Sequence, residues 1–251
     1  MSNPWYLYDR LLDPIDDDVI VEDYQVGRSW TQVHASSGSV GLAMNTDFGT
    51  RPQLTADDSL IGKPLHSVAQ LVKSWNAPEA SVGMAAINAW YNTPDALKSF
   101  TPHPNAREHD AFAVYAQDIV GKRVAVVGHF PGVENRLSQA RELTVLERKP
   151  WQGDYPDPAS EYVLADQDYV FITGSTFANR TAPRLLQLSE NARVVILGPT
   201  TPLAAALFEE GVDGLSGLVV TDPQKLKKSL RGVGGLSHFD AGVTYDVVKQ
   251  H

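Results

Sequence analysis

The pattern of hydrophobic and polar positions changes its period about two fifths of the way along the chain. An apolar repeat between Trp5 and Leu12 has helical spacing and predicts a short amphipathic helix. Three strand-like stretches follow, at residues 19–26, 29–35 and 40–45. Because only short turns separate these stretches, they predict an antiparallel meander.

Helical spacing returns after the meander and predicts two helices, at residues 60–75 and 78–91. The second helix carries small residues that permit close packing against a neighbouring element: Gly83, Ala86 and Ala89. Asn88 lies among them, and a buried amide requires hydrogen-bond partners. Two interpretations stay open for Asn88: a structural bond to nearby backbone, or a contact with a ligand.

The second half of the chain alternates short apolar runs with helix-permitting segments. The runs predict five strands, at residues 124–128, 143–147, 169–174, 193–198 and 218–222. The intervening segments predict helices at residues 132–142, 160–165, 181–191, 202–210 and 223–231. This alternation is typical of a parallel sheet with helices on both faces. We therefore predict an α+β domain over residues 1–105 and an α/β domain over residues 106–251.

Composition narrows the classes of function. The 251 residues include 21 Lys and Arg against 30 Asp and Glu, a formal charge of −9, and no Cys. The acidic balance argues against nonspecific nucleic-acid binding, and the absence of Cys excludes disulfide scaffolds, thiolate metal sites and a Cys nucleophile. No apolar stretch is long enough to span a membrane and the N-terminal sequence does not resemble a signal peptide, so we expect a cytoplasmic protein. The sequence is compatible with a monomer or a dimer, and we expect a homodimer only because homodimers are the commonest oligomers of soluble proteins.

Ligands of parallel sheets bind beyond the carboxyl ends of the strands, which selects candidate residues. His129 follows the first of these strands and is a candidate general acid or base, or a metal ligand, with a structural role as the alternative. Phe130 beside it is too large for a tight dinucleotide loop. Glu147 ends the second strand, 19 residues after Gly128, where an acid can hold ribose hydroxyls. A surface pairing of Glu147 with Arg148 or Lys149 is the alternative.

Two hydroxyl-rich turns follow later strands, at residues 173–176 and 198–201. Their backbone N–H groups could bind an anion at helix N-termini, whereas Thr181 and Thr201 could simply cap the following helices. Together, these considerations give a candidate ligand-binding set: Asn88, His129, Phe130, Glu147, Arg148, Thr173, Gly174, Ser175, Asn179, Gly198, Pro199 and Thr200. Within this set, His129 and Glu147 are the candidate metal ligands.

Several motifs, in the same order along the chain, resemble those of one family. They are S-V-G-M-A-A-I-N-A at residues 81–89, V-A-V-V-G-H-F at 124–130, I-T-G-S-T at 172–176, L-G-P-T-T-P-L at 197–203 and G-L-V-V-T-D at 217–222. On these motifs the chain resembles the proteins labelled putative heavy-metal chelation. The resemblance implies an enolase-N-terminal-like domain followed by a Rossmann-like domain, with a site at their interface.

Three functional hypotheses follow, of which a noncatalytic interaction subunit is disfavoured by the hydroxyl- and glycine-rich strand ends. The first is that the interface binds a metal ion or a metal complex. Since the chain has no Cys, His129 and Glu147 would suit zinc, nickel, cobalt or iron, and the expected cofactor is a divalent transition metal. The second is an enzyme that binds a small anionic or nucleotide-like ligand, with Glu147 on hydroxyl groups and His129 moving protons. Whether the protein is an enzyme stays open at this point.

Overall fold

A computed structural model of the chain describes residues 3–46, 51–52, 59–106, 110–231 and 237–249. Within these residues, the first part shows three helices and three strands: α1 (Tyr6–Leu12), β1 (Val21–Val26), β2 (Trp30–Ala35), β3 (Val40–Met44), α2 (Leu65–Ala69) and α3 (Ala77–Tyr91). Two 3-10 helices follow α2 and α3, at Gln70–Lys73 and Ala96–Ser99. The helix predicted at residues 60–75 is therefore shorter and tightens into a 3-10 turn.

The first three strands form the predicted antiparallel sheet, in the order β1-β2-β3. Helix α3 packs against this sheet and is buried along almost its whole length. Asn76 caps α3, because its side-chain oxygen accepts a hydrogen bond from the Glu79 N–H at 3.1 Å. Gly83 allows α3 to pack closely against the 3-10 helix at Gln70–Lys73 as well, since a Cβ there would lie 2.0 Å from the Val72 nitrogen.

The second part contains eight strands and seven helices among the described residues. The strands are β4 (Thr101–Pro102), β5 (Arg123–Val127), β6 (Glu142–Glu147), β7 (Tyr155–Pro156), β8 (Tyr169–Thr173), β9 (Arg193–Leu197), β10 (Gly214–Val220) and β11 (Gly242–Val248). The helices are α4 (Ala111–Val114), α5 (Val133–Arg136), α6 (Ser160–Val163), α7 (Ser175–Ala178), α8 (Ala182–Leu188), α9 (Ala206–Glu209) and α10 (Pro223–Arg231). Further 3-10 helices lie at Asp157–Ala159, Leu164–Asp166 and His238–Ala241.

These eight strands form one sheet in the order β4-β11-β10-β9-β8-β5-β6-β7. The six strands from β10 to β7 are parallel, as the sequence predicts for the five of them that it identifies, and helices connect most of them. The periodicity missed β11, which adds antiparallel to β10, and also the short strands β4 and β7. The strand predicted at residues 218–222 begins earlier, at Gly214, and the helix predicted at 132–142 covers only Val133–Arg136.

One hydrophobic core runs through both parts of the molecule. Leu11 and Ile87 from the first part belong to the same buried cluster as Val170 and Phe177 from the second. A separate cluster covers the other face of the large sheet, around Phe171. The boundary expected near residue 105 stays a prediction. Among the described helices, none has both the length and the apolar content that crossing a bilayer requires.

Candidate functional site

A cavity of about 510 Å³ lies at the carboxyl ends of the parallel strands. Strand β6 lies on one side of β5 and β8 on the other, so the chain changes direction in the sheet at β5. Ligands of such sheets bind at this switch point. The cavity is lined by the ends of β5, β6, β8 and β9 and falls within the size range of small-molecule sites.

The first part of the molecule supplies one wall of the cavity. Trp30, Met44, Asn45 and Thr46 come from β2 and from the end of β3. The Met44 N–H donates a hydrogen bond to the Thr200 hydroxyl at 2.8 Å, which ties this wall to the turn after β9. The cavity is therefore built by both parts together.

Two glycines make the turns that open the cavity. Gly128 follows β5 with a φ of +98° and Gly198 follows β9 with a φ of +106°. Residues with a side chain rarely adopt these angles. At Gly128 the turn directs the chain away from the sheet and brings His129 to the cavity edge.

His129 is held by an aspartate and an indole ring. Its Nδ1 lies 3.1 Å from both carboxylate oxygens of Asp154, and its ring stacks on Trp151 with centroids 4.5 Å apart. The Asp154 side chain is 2% exposed and that of His129 is 11% exposed. Asp154 also accepts a hydrogen bond from the Trp151 N–H at 2.9 Å. These contacts fix the imidazole in one orientation at the cavity mouth.

Glu134 on α5 completes a group of three side chains that could hold a metal ion. One ligand atom each from His129, Glu134 and Asp154 can be chosen so that all three lie within 4.8 Å of one another. Glu134 is exposed to solvent, whereas the other two are largely buried. One nitrogen and two carboxylate oxygens suit divalent metals of intermediate softness.

Glu147 is not part of that group. Its two carboxylate oxygens accept hydrogen bonds from the backbone N–H groups of His129, at 2.9 Å, and Lys149, at 3.0 Å. Glu147 thus fastens the turn after β5 to the turn after β6. Arg148 beside it pairs with Asp157, with Nε 3.3 Å from Oδ2.

Most residues of the candidate set meet at the cavity. Ten of the twelve line it: His129, Phe130, Glu147, Arg148, Thr173, Ser175, Asn179, Gly198, Pro199 and Thr200. Asn88 and Gly174 do not. A Cβ at Gly174 would lie 2.5 Å from the Thr201 nitrogen, so this glycine serves the packing of β8 against the turn after β9. Asn88 is fully buried, and its amide nitrogen donates to two backbone carbonyls, whereas its buried Oδ1 has no hydrogen-bond partner.

The side chains of Thr181 and Thr201 do not cap the helices that follow them, which was the alternative interpretation of the two hydroxyl-rich turns. The Thr181 hydroxyl donates to Asn179 Oδ1 at 2.6 Å and makes no capping bond to α8. Thr201 precedes α9 by several residues, and its buried hydroxyl has no hydrogen-bond partner. The helix predicted at 202–210 in fact begins at Ala206.

The structure adds an aromatic wall that sequence reasoning missed. Trp30 and His238 lie with ring centroids 4.4 Å apart, and His238 lies equally close to Phe239. All three line the cavity. Burial lowers the pKa of His238 to about 4, partly opposed by Asp240, so the ring is neutral near pH 7. The His238 Nε2 atom is buried without a hydrogen-bond partner.

The sequence pattern also did not select three other residues: Asp154, Glu134 and His238. Asp154 follows the end of β6 in a turn, and Glu134 lies in the short helix after β5, so the strand-end rule points to their region without selecting them. Residue His238 gives no such signal, because the strand that follows it was not predicted.

Comparisons with known proteins agree with this architecture. Two family models match the chain, at residues 8–91 and 110–249, and both carry the description "Putative heavy-metal chelation". An uncharacterized protein of Methanocaldococcus jannaschii is 28% identical over 229 residues, which cover 86% of this chain and 85% of that protein.

Two crystal structures of proteins with unknown function from the DUF364 family share the fold. The one from Desulfitobacterium hafniense is 40% identical, with a TM-score of 0.89 over 99% of this chain and 100% of that chain. The one from Pyrococcus horikoshii is 23% identical, with a TM-score of 0.78 over 96% of this chain and 97% of that chain. The second likeness concerns the fold alone.

Proposed function

Because the chain belongs to the family described as "Putative heavy-metal chelation", we propose that it binds a divalent transition metal ion or a metal complex at the cavity between its two parts. The observation that carries the proposal is the convergence of His129, Glu134 and Asp154, whose ligand atoms approach within 4.8 Å of one another. No two of the three are neighbours in sequence, so local chain geometry does not account for the grouping.

The donor set predicts which metals bind. Imidazole nitrogen and carboxylate oxygen suit zinc, nickel, cobalt and iron, whereas thiophilic metals prefer sulfur ligands, and this chain has no Cys. Three protein ligands leave coordination positions open for water or for another molecule. Since His129 also lines the cavity, an organic chelator bound there could donate to the same ion.

Glu147 and Trp151 support the site without joining the ligands. The Glu147 carboxylate accepts a hydrogen bond from the His129 N–H, and the Trp151 ring stacks on the His129 imidazole. Such supporting contacts orient metal ligands, and their loss typically costs about 10–100-fold in metal affinity. We propose that the contribution of Glu147 is this positioning role, in place of the direct ligation expected from sequence.

The comparisons do not favour the alternative, an enzyme for a small anionic or nucleotide-like ligand. That hypothesis assigned ribose hydroxyls to Glu147, but both carboxylate oxygens already accept backbone hydrogen bonds. Polar residues at the ends of β8 and β9, such as Ser175 and Thr200, are equally compatible with an organic chelator.

Isothermal titration with Ni²⁺, Co²⁺ and Zn²⁺ tests the proposal. Wild-type protein should bind one ion, and His129→Ala and Asp154→Asn should each lower the affinity by at least about 100-fold, more than the loss of a supporting contact. Mg²⁺ should not compete, since it prefers an all-oxygen octahedral shell.

His66→Ala is the matched control. His66 also pairs with an aspartate, its Nδ1 lying 3.1 Å from Asp17 Oδ1, but it lies on the surface and does not line the cavity. The proposal requires wild-type affinity in His66→Ala. Equal affinities in wild type and His129→Ala, or equal losses in His129→Ala and His66→Ala, would refute it.

A further inference from the structure

A second, smaller cavity of about 90 Å³ borders the main one. Four residues line both cavities: Phe130, Gly198, Pro199 and Phe239. At ~30 Å³ for each water-sized atom, the small cavity has room for a group of about three heavy atoms. It therefore has the size of a side group of an organic ligand and not that of the whole molecule.

The walls of the small cavity are mainly apolar. Leu197 at the end of β9 and Leu218 on β10 are each 3% exposed, and Phe112 on α4 is 1% exposed. All three side chains belong to residues that line the small cavity but not the main one. An apolar group placed among them is removed from water, which is favourable in proportion to the area buried.

The polar residues of the lining are engaged outside the cavity. They are Arg136, Ser216 and Thr244. The Arg136 guanidinium is paired with Asp110, with Nη1 3.6 Å from Oδ1, and the side chain is 44% exposed. Ser216 is the cross-strand partner of Asp246, where it opposes the burial that raises the pKa of that carboxyl. Because a buried water needs about three polar partners, an apolar group suits this cavity better than water does.

The ring of Phe130 stands where the two cavities meet. Its Cε2 lies 3.7 Å from the position of a Cβ on Gly128, and its Cε1 lies 3.9 Å from that of a Cβ on Gly198. The ring also packs edge-on against Phe112, with centroids 5.3 Å apart. The two glycine turns therefore leave space for a ring that forms a wall of both cavities.

We propose that the small cavity is a subsite for a compact apolar group of about three carbon atoms, carried by the ligand of the main cavity. This inference rests on the proposed function, because that ligand is the organic chelator that donates to the metal ion at His129. It narrows the chelator to molecules with a short alkyl branch, such as a propyl or isopropyl group. The branch enters the subsite past the edge of the Phe130 ring.

Xenon binding tests the subsite without any metal, because xenon enters dry apolar cavities. Methyl NMR spectra of leucine-labelled protein are recorded under increasing xenon pressure. The methyl groups of Leu197 and Leu218, which line the small cavity, should shift and saturate. Leu146 lines only the main cavity and reports xenon bound there, and Leu11 in the core is the unaffected reference.

A substitution that fills the subsite identifies its location. Ala111 lines the small cavity at the start of α4, so the larger side chain of Ala111→Leu should occupy it and abolish the xenon shifts of Leu218. Ala113→Leu is the matched control, since Ala113 lies on the same helix but is exposed. The control should retain the shifts.

Aliphatic hydroxamates, which chelate Ni²⁺ through two oxygens, test the link to the metal site. Protein loaded with Ni²⁺ is titrated with acetohydroxamate, propanohydroxamate, butanohydroxamate and hexanohydroxamate. The affinity of wild type should rise by about fourfold for each methylene group that is buried, and level off beyond butanohydroxamate. Ala111→Leu should bind acetohydroxamate like wild type but lose the gain with chain length, which Ala113→Leu should keep.

Two results would overturn the proposal: no xenon shift at Leu197 and Leu218 in wild type, or an equal gain with chain length in Ala111→Leu and wild type. Absence of any Ni²⁺-dependent hydroxamate binding would instead refute the proposed metal site. The xenon experiment on wild-type protein then decides the apolar subsite by itself, and it also does so if Ala111→Leu does not fold.

Discussion

Asn88 Nδ2 lies 3.0 Å from the carbonyl oxygen of Thr200, 112 residues further along the chain. The same nitrogen donates to the Leu42 carbonyl at 2.8 Å. One amide on α3 therefore holds β3 and the turn after β9 together. This arrangement explains why a polar side chain occupies a helix otherwise packed with small and apolar residues.

We expect Asn88→Ala to destabilise the protein by about 2–3 kcal/mol, because it leaves two buried carbonyl groups without their donor. Urea unfolding measures the change. Asn191→Ala, at an exposed position, is the control and should lie within about 0.5 kcal/mol of wild type. A change in Asn88→Ala as small as that of the control would contradict the bridging role.

Gly83→Ala should be among the most damaging single substitutions in the first part of the molecule. The added Cβ would lie 2.0 Å from the Val72 nitrogen and 2.6 Å from the Leu71 carbonyl carbon, both backbone atoms, so α3 would have to move. We expect a loss of about 3 kcal/mol in unfolding free energy.

Gly121→Ala is the comparison for this prediction. Gly121 has a φ of +70° but open space around its Cα, so only conformational strain opposes an alanine. We expect a loss of about 1 kcal/mol there. Equal losses at the two positions would mean that close packing of α3 is not the dominant effect.

His238 should make the stability of the protein depend on pH below neutrality. Its pKa falls from the ordinary value of 6.5 to about 4 because it is buried, so folding favours the neutral ring. The resulting stabilisation is complete above pH 6.5 and is lost as the pH falls towards 4. A phenylalanine at position 238 would still pack against the Trp30 ring, whose centroid lies 4.4 Å from that of His238.

His238→Phe therefore tests this titration. The unfolding free energy of the variant relative to wild type should rise by about 3 kcal/mol between pH 7 and pH 4. Urea unfolding at a series of pH values measures this difference. Parallel pH profiles for the two proteins would rule out the buried, neutral state of His238.

Trp151 should report metal binding by its fluorescence. Its ring centroid lies 4.5 Å from that of His129, so Ni²⁺ or Co²⁺ at the proposed site should quench the indole. Trp151→Phe should lose most of the quenching while still binding metal. Trp5→Phe should retain it, because Trp5 packs against Tyr8 and Trp75 in another region. Full quenching in Trp151→Phe would place the ion elsewhere.

The sequence predicted the region of the candidate site, but it did not predict which side chains surround His129. His129 was selected because it follows a buried parallel strand, and the structure does bring it to the cavity. Glu147 was selected by the same rule, yet its oxygens are used by backbone N–H groups. The side chains that approach the His129 ring come from a turn and a short helix, which carry no periodic pattern.

Local periodicity determined the three-stranded meander, the buried helix α3 and the series of parallel strands, because each depends on which face of a short segment is apolar. The antiparallel strand β11, the sharing of one core by the two parts, and the meeting of His129 with Glu134 and Asp154 depended on contacts between distant segments. No local pattern encodes those contacts. They follow from how the sheet, α3 and the connecting turns pack together, so only the tertiary structure decided them.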